Sequence, residues 1–190
     1  MNLRKLIFGL LVLSIALNGI SLILMATVGQ TPMVLTPLTT LIVFLFAVLH
    51  AGASYGWRRG LTLLAIVVAT GLAFESVGVA SGAVYGPYHY TDQLGPKFLG
   101  LVPFLIPVAW FMMIYPSFRI ADQLATQIIP RGFWRGVLAA GLAAVAMTAW
   151  DLAMDPMMVM AGNWVWDQPG AYFGVPSQNF WGWGLTTFTA

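Results

Sequence analysis

The sequence predicts an all-α protein, a polytopic bundle of about six transmembrane helices, and three observations support this. Hydrophobic residues make up 59% of the 190 residues and charged residues only 7%, against about 25% charged residues in an average soluble domain. Apolar stretches recur along the chain, each close to the roughly 20 residues that cross ~30 Å of hydrocarbon. Basic residues are concentrated in the short segments between them. We therefore predict a single transmembrane domain over residues 1–190.

The predicted spans follow the apolar stretches in chain order. The first begins after Arg4 and Lys5, and it is too long and lacks the small-residue cleavage site of a signal peptide, so we interpret it as a retained span. The last has only about ten residues before Ala190, or ~15 Å of helix. We expect either a truncated sequence or a helix that ends inside the membrane. The predicted spans are 6–28, 37–55, 61–79, 99–118, 136–154 and 180–190.

Basic residues predict the orientation of these spans. If six spans alternate, all Lys and Arg residues except one fall on the same side. By the positive-inside rule this side is cytoplasmic, which places the N-terminus inside and the loops 29–36, 80–98 and 157–178 outside. The predicted inner residues are Arg4, Lys5, Arg58, Arg59, Arg119, Arg131 and Arg135, and Lys97 lies opposite.

The composition argues against several partners and cofactors. The net charge of +2 comes from a thin excess of basic residues rather than a basic patch, so nucleic acid is not an expected partner. The absence of cysteine excludes disulfides, thiolate metal ligands and cysteine nucleophiles. Two histidines are too few for a His-rich metal site, and the segment GVASGAVYGPYHY lacks a phosphate-binding frame. The residues themselves therefore indicate neither a Cys- or His-rich metal site nor a bound nucleotide.

Three carboxylates lie within or at the edge of predicted spans. Glu75 occurs in GLAFESVG, and Asp151 and Asp155 occur in AWDLAMDP. An ionisable group at such a depth is costly and is by default a functional hypothesis. Glu75 and Asp151 each lie about 21 to 23 Å from the predicted cytoplasmic end of their helix, so they can meet at one depth. Asp155 shares a helix face with Asp151. Crowding of the three acids would keep at least one protonated at neutral pH.

A structural interpretation of the same acids stays open. Glu75 and Asp151 would then be hydrogen-bonding groups between helices, and Asp155 would end a helix before Pro156.

The predicted outer loops contain many aromatic and polar side chains. These side chains either form an interfacial aromatic belt or line a binding site. Apolar helices rich in Trp, Phe and Met, together with buried acids, favour a long apolar substrate drawn from the bilayer, and the available chemistry is proton transfer. The loop side chains are Tyr85, Tyr88, His89, Tyr90, Asp92, Trp164, Trp166, Asp167 and Tyr172.

Four blocks carry a resemblance to a known family: FESVGVASGAVYGPYHY, LGPKFLGLVPFLIPVAWFMMIYPS, AWDLAMDPMM and GNWVWDQPGAYFGVPSQNFWGW. In this order and spacing they resemble the carotenoid biosynthesis membrane family that contains carotenoid 1,2-hydratases. The resemblance runs from about Phe74 to the C-terminus, and the first two spans match only in character. Family members usually continue beyond NFWGWGLTTF, where this chain ends.

The resemblance implies addition of water to the terminal C1–C2 double bond of an acyclic or monocyclic carotenoid, which gives a tertiary alcohol. It implies no metal or organic cofactor. It also implies a multi-pass protein of the prokaryotic inner membrane, with membrane lipid around it.

Hydration requires an acid, a pocket that tolerates a tertiary cation, and a positioned water. We expect Asp151, or its neighbour Asp155, to be the general acid, and an ionised Glu75 to stabilise the cation. The π faces of Trp150 and Tyr88 would assist. Asn179 and His89 are expected to hold the water. The expected substrate-binding residues are Tyr85, Tyr88, His89, Trp150, Asn179 and Trp181.

A non-catalytic function is the alternative. The protein would then be a carotenoid-binding or assembly subunit of a membrane complex, for example a photosynthetic one, and would contact other membrane-protein subunits. A truncated chain would favour this alternative, and the eight Trp residues can bind a polyene without altering it. A transporter is disfavoured, since the sequence shows no inverted repeat.

Overall fold

The computed structural model describes residues 2–29 and 34–190. Four of the helices in these residues, α1, α2, α3 and α5, are long and apolar enough to cross a membrane. The predicted all-α membrane bundle is confirmed, with the number of spans approximate. The helices are α1 Leu3–Val28, α2 Leu35–Tyr55, α3 Trp57–Ser81, α4 Leu105–Ile128, α5 Phe133–Met160 and α6 Ser177–Thr189. The short strands are β1 Tyr88–Tyr90, β2 Lys97–Phe98, β3 Val102–Pro103 and β4 Trp164–Trp166.

The fourth helix begins at Leu105 rather than at residue 99. Strands β2 and β3 form a small hairpin before it, in which Lys97 pairs with Pro103. At the turn, Leu99 has φ 50° and Gly100 has φ 72°. Positive φ values are incompatible with a right-handed helix, which explains the later start.

Helix α5 does not end before Pro156, as the structural interpretation of Asp155 assumed, but continues to Met160. Proline has no N–H, so the carbonyl of Leu152 loses its usual partner one turn earlier. The hydroxyl of Tyr172 donates to this carbonyl at 2.9 Å. A loop side chain therefore replaces the missing backbone donor and lets the helix pass through the proline.

The chain, predicted as one domain, forms two compact units, residues 1–66 and 67–190. In the first unit, α1 packs along α2. Gly52 allows the Trp57 ring to approach closely, because a Cβ there would lie 2.7 Å from a ring carbon.

In the second unit, α5 packs against both α4 and α6. Two core rings come from α4, where Trp110 and Phe111 are fully buried, and Met147 of α5 is buried as well. The strands β1 and β4 of this unit form an antiparallel pair with Tyr88 opposite Trp166. Because strand side chains alternate between faces, this sheet presents one aromatic face inward: Tyr88, Tyr90, Trp164 and Trp166.

Candidate active site

Glu75 is a buried acid on α3 that accepts three hydrogen bonds. Its Oε1 accepts the indole N–H of Trp110 at 2.9 Å. Its Oε2 accepts the hydroxyl of Tyr90 at 2.8 Å and that of Tyr88 as well. An ionised carboxylate only accepts hydrogen bonds, so three donors around one acid match the ionised form.

The two phenols reach Glu75 from the inward face of β1. Burial, followed by the negative charge of Glu75, raises the pKa of Tyr88 and of Tyr90 well above the usual tyrosine value. Both therefore remain neutral hydroxyl donors to the carboxylate.

Asp151 and Asp155 are buried one helical turn apart on α5, and Asn179 of α6 bridges them. The amide nitrogen of Asn179 donates to Asp151 Oδ2 at 2.6 Å and to Asp155 Oδ2 at 2.7 Å. The other oxygen of Asp155 accepts the indole N–H groups of Trp164 at 2.9 Å and Trp166 at 3.3 Å. Asp155 thus accepts three hydrogen bonds.

Asp151 is far less satisfied than its neighbour. Its Oδ2 accepts only from Asn179, and its Oδ1 is buried with no partner among the described residues. A carboxyl oxygen that accepts no hydrogen bond is consistent with a protonated acid, whose O–H group can donate to a bound molecule. The arrangement can place a proton on Asp151 beside an ionised Asp155.

The β1–β4 sheet contacts two acid centres, one formed by Glu75 and the other by Asp151 and Asp155. Strand β1 directs two phenols to Glu75, and strand β4 directs two indoles to Asp155. The sequence analysis placed Tyr90, Trp164 and Trp166 among the loop side chains but named only Tyr88 as a site residue. The alternating segments YHY and WVW were the available signal, since a period of two predicts a strand with its aromatic residues on one face. Trp110 was missed altogether.

A second feature between α3 and α6 is the side chain of Tyr85. A Cβ at Gly78 would lie 2.6 Å from the Tyr85 ring, and one at Gly182 would lie closer still. The two glycines therefore leave just enough space for this ring. Its hydroxyl lies 2.8 Å from that of Thr186, another residue that the sequence analysis missed.

Trp183 of α6 packs against Trp110. The ring centroids are 4.5 Å apart with an interplanar angle of 38°. Because Trp110 donates to Glu75, this contact links α6 to the carboxylate on α3. The position of Trp183 was not predicted either.

Three predicted site residues lie away from the acids. His89 is on the outward face of β1, with its side chain 57% exposed and its Nδ1 2.7 Å from Asp167 Oδ1. Trp150 is 55% exposed and Trp181 is 81% exposed. Strand alternation turns His89 away from its inward neighbours, and both tryptophans occupy outer helix faces. The structure therefore does not bring His89 or Trp150 to the acids, and we propose no role for them there.

The other predicted residues do meet at the site. Glu75, Tyr88, Asp151 and Asp155 all take part in the hydrogen bonds described above. Asn179 is also there, but both hydrogens of its amide are directed at the aspartates. Among residues 2–29 and 34–190, no group of three or more His, Asp or Glu side chains is arranged to hold a metal ion.

The fold and the site together define a helical membrane protein with two buried acid centres, to which aromatic side chains donate hydrogen bonds. The carotenoid biosynthesis protein family matches residues 31–190, and the chain belongs to this family. The resemblance stated from the sequence blocks is thereby confirmed.

A curated relative is the bisanhydrobacterioruberin hydratase of Haloarcula japonica, which is 36% identical over 129 residues. The match covers 68% of this chain and 42% of the relative, so the chain spans less than half of the relative's length. No solved structure matches the chain.

Proposed function

We propose that this protein adds water to the terminal C1–C2 double bond of an acyclic or monocyclic carotenoid and so forms a tertiary alcohol. The observation that carries the proposal is the buried, unpartnered Oδ1 of Asp151. Membership of the family supports a carotenoid as the substrate class, and the name of the relative supports hydration. Because the chain spans 42% of that relative, the activity is a proposal for this chain.

Asp151 is the general acid in this mechanism. Its proton passes to C2 of the double bond, and the positive charge develops at C1, which carries two methyl groups. Asp155 is suited to remain ionised because three donors already satisfy it. The negative charge of Asp155 also helps Asp151 to recover a proton at the end of the cycle.

Glu75 stabilises the cation through space. Its charge acts in a buried, low-dielectric region, where a fixed negative charge has a larger effect than in water. Tyr88 and Trp110 hold this carboxylate in place. The π face of Tyr88 keeps its expected role beside the carotenoid cation, and that of Trp110 takes the role expected of the exposed Trp150.

The cycle closes when a water molecule attacks C1. Its oxygen forms the new C–O bond, and one of its protons returns to Asp151. The net change is the addition of one water, with the acid regenerated and no metal or organic cofactor required.

The test is pigment analysis by liquid chromatography and mass spectrometry after expression in a host that accumulates an acyclic carotenoid. We expect a product heavier by one water, which Asp151→Asn and Glu75→Gln each reduce by about 100-fold or more. Asp92→Asn is the matched control, because the side chain of Asp92 is fully exposed and bonded to Lys97. Unchanged turnover in both acid variants would overturn the assignment.

The same experiment tests the non-catalytic alternative. A carotenoid that copurifies unchanged with the protein, with no hydrated product in the host, would contradict hydration and support a binding subunit.

A further inference from the structure

The buried Tyr85–Thr186 hydroxyl pair has one hydrogen left over. The two oxygens lie 2.8 Å apart, and either can donate to the other. Two hydroxyl groups carry two hydrogens, and their mutual bond uses one of them. Neither hydroxyl has another hydrogen-bond partner among the described residues. Tyr85 is 2% exposed and Thr186 is 0% exposed, so the remaining hydrogen faces no bulk water and needs an acceptor.

Two further buried polar atoms, one on α6 and one on α5, also lack a partner among the described residues. Thr187 follows directly on α6, and its Oγ1 is buried without a partner in the described part of the chain. Asp151 Oδ1 is in the same condition. Buried polar atoms without a protein partner are groups that a bound water molecule can satisfy.

The Tyr85 ring is tightly confined, and Thr186 lies on the helix that contacts the aspartates. The Tyr85 ring lies between Gly78 and Gly182, so its hydroxyl has little freedom. Thr186 shares the buried face of α6 with Asn179, which bonds to Asp151. Burial, followed by the charges of Glu75 and Asp151, raises the pKa of Tyr85 well above the usual tyrosine value, so its hydroxyl stays neutral.

We propose that the Tyr85–Thr186 pair holds the water that attacks C1, which makes Thr186 a catalytic residue; this inference rests on the proposed hydration. The spare hydrogen is donated to one lone pair of the water, and the other lone pair faces the cation. One water proton then passes to Asp151, which has just protonated C2. The pair takes over the role that the sequence analysis assigned to Asn179 and His89, whose hydrogen bonds are directed elsewhere.

The experiment measures, in D2O, the ratio of water capture by the cation to proton loss from the cation. Membranes that contain the protein are incubated with lycopene in D2O, and both the alcohol and the recovered lycopene are analysed by mass spectrometry. Transfer of a deuteron to C2 labels the cation. Capture by water gives a labelled alcohol, whereas loss of a proton from C2 or from a methyl group returns labelled alkene. Membranes without the protein correct for exchange in solution.

In the wild type we expect mostly alcohol. Thr186→Val keeps the shape of the side chain but removes the hydroxyl, so the alcohol should fall by about 100-fold while deuterium still enters the recovered alkene. Thr186→Ser should restore the alcohol. Thr189→Val is the matched control, because Thr189 is exposed on the same helix and bonds only to the carbonyl of Leu185.

Equal loss of alcohol and of exchange in Thr186→Val, or an unchanged ratio between them, would overturn the inference. If Thr186→Val does not accumulate, Tyr85→Phe tests the same pair and should also shift the ratio toward exchange. A wild type that forms neither alcohol nor labelled alkene would instead contradict the proposed hydration itself.

Discussion

Trp110 donates its indole N–H to Glu75 over 2.9 Å and so joins α4 to α3 through a buried carboxylate. Trp110→Phe leaves Oε1 of Glu75 without that donor. We expect the free energy of unfolding in mild detergent to fall by about 1–3 kcal/mol, and hydration to fall with it. Trp181→Phe is the control, because Trp181 is 81% exposed. Equal stability of the two variants would show that this bond contributes nothing.

Asp151→Asn and Asp155→Asn should both lose hydratase activity, but for different reasons. An asparagine at 151 keeps one oxygen for the amide of Asn179 and loses only the acidic proton. An asparagine at 155 must turn its NH2 group toward donors that need an acceptor, either Asn179 or the pair Trp164 and Trp166. We therefore expect near-wild-type unfolding for Asp151→Asn and a loss of about 1–3 kcal/mol or more for Asp155→Asn. Thermal unfolding in detergent compares them, and a reversed order would contradict the hydrogen-bond assignment.

Gly182→Ala should displace Tyr85. The added Cβ would overlap the Tyr85 ring, which Gly78 confines on its other side. We expect a destabilisation of about 1–3 kcal/mol from overpacking. We also expect a loss of the carotenoid-hydrating activity. Gly141→Ala is the control, because a Cβ at Gly141 has no atom within 4 Å. If both alanine variants behave alike in thermal unfolding and turnover, the close fit of Tyr85 is not important.

The raised pKa values of Tyr88 and Tyr90 predict sensitivity to alkali. Since the folded protein holds these protons more tightly than the unfolded chain, the stability involved is complete below the usual tyrosine pKa of about 10 and is lost as the pH rises above it. We expect phenolate absorbance from these residues to appear only together with loss of helical circular dichroism. Full ionisation of all tyrosines in a protein that keeps its helices would contradict their burial.

The orientation stays a prediction that single cysteines can test, because the chain has none of its own. Gln168 is exposed between β4 and α6, and Gln127 is exposed near the end of α4. With the N-terminus inside, Gln168→Cys should react with a membrane-impermeant maleimide in intact cells, and Gln127→Cys only after lysis. The reverse pattern would invert the predicted topology. Equal labelling of both before lysis would contradict a spanning arrangement of α5.

Some site residues could be recognised from the sequence because they violate a local rule. Glu75, Asp151 and Asp155 are acids in apolar stretches, where ionisable side chains are expensive and therefore stand out. Trp110, Trp183 and Thr186 gave no such signal, since tryptophan and threonine are ordinary residues in membrane helices.

The sequence by itself determined that this is a helical membrane protein with three acids at depth, because composition and apolar segment length are set along the chain. Only the tertiary structure decided that Asp151 keeps one oxygen free while Glu75 and Asp155 are each satisfied by three donors. Those donors come from other helices and from the β1–β4 sheet. Which acid can carry a proton therefore depends on contacts between segments far apart in sequence, and no local pattern encodes them.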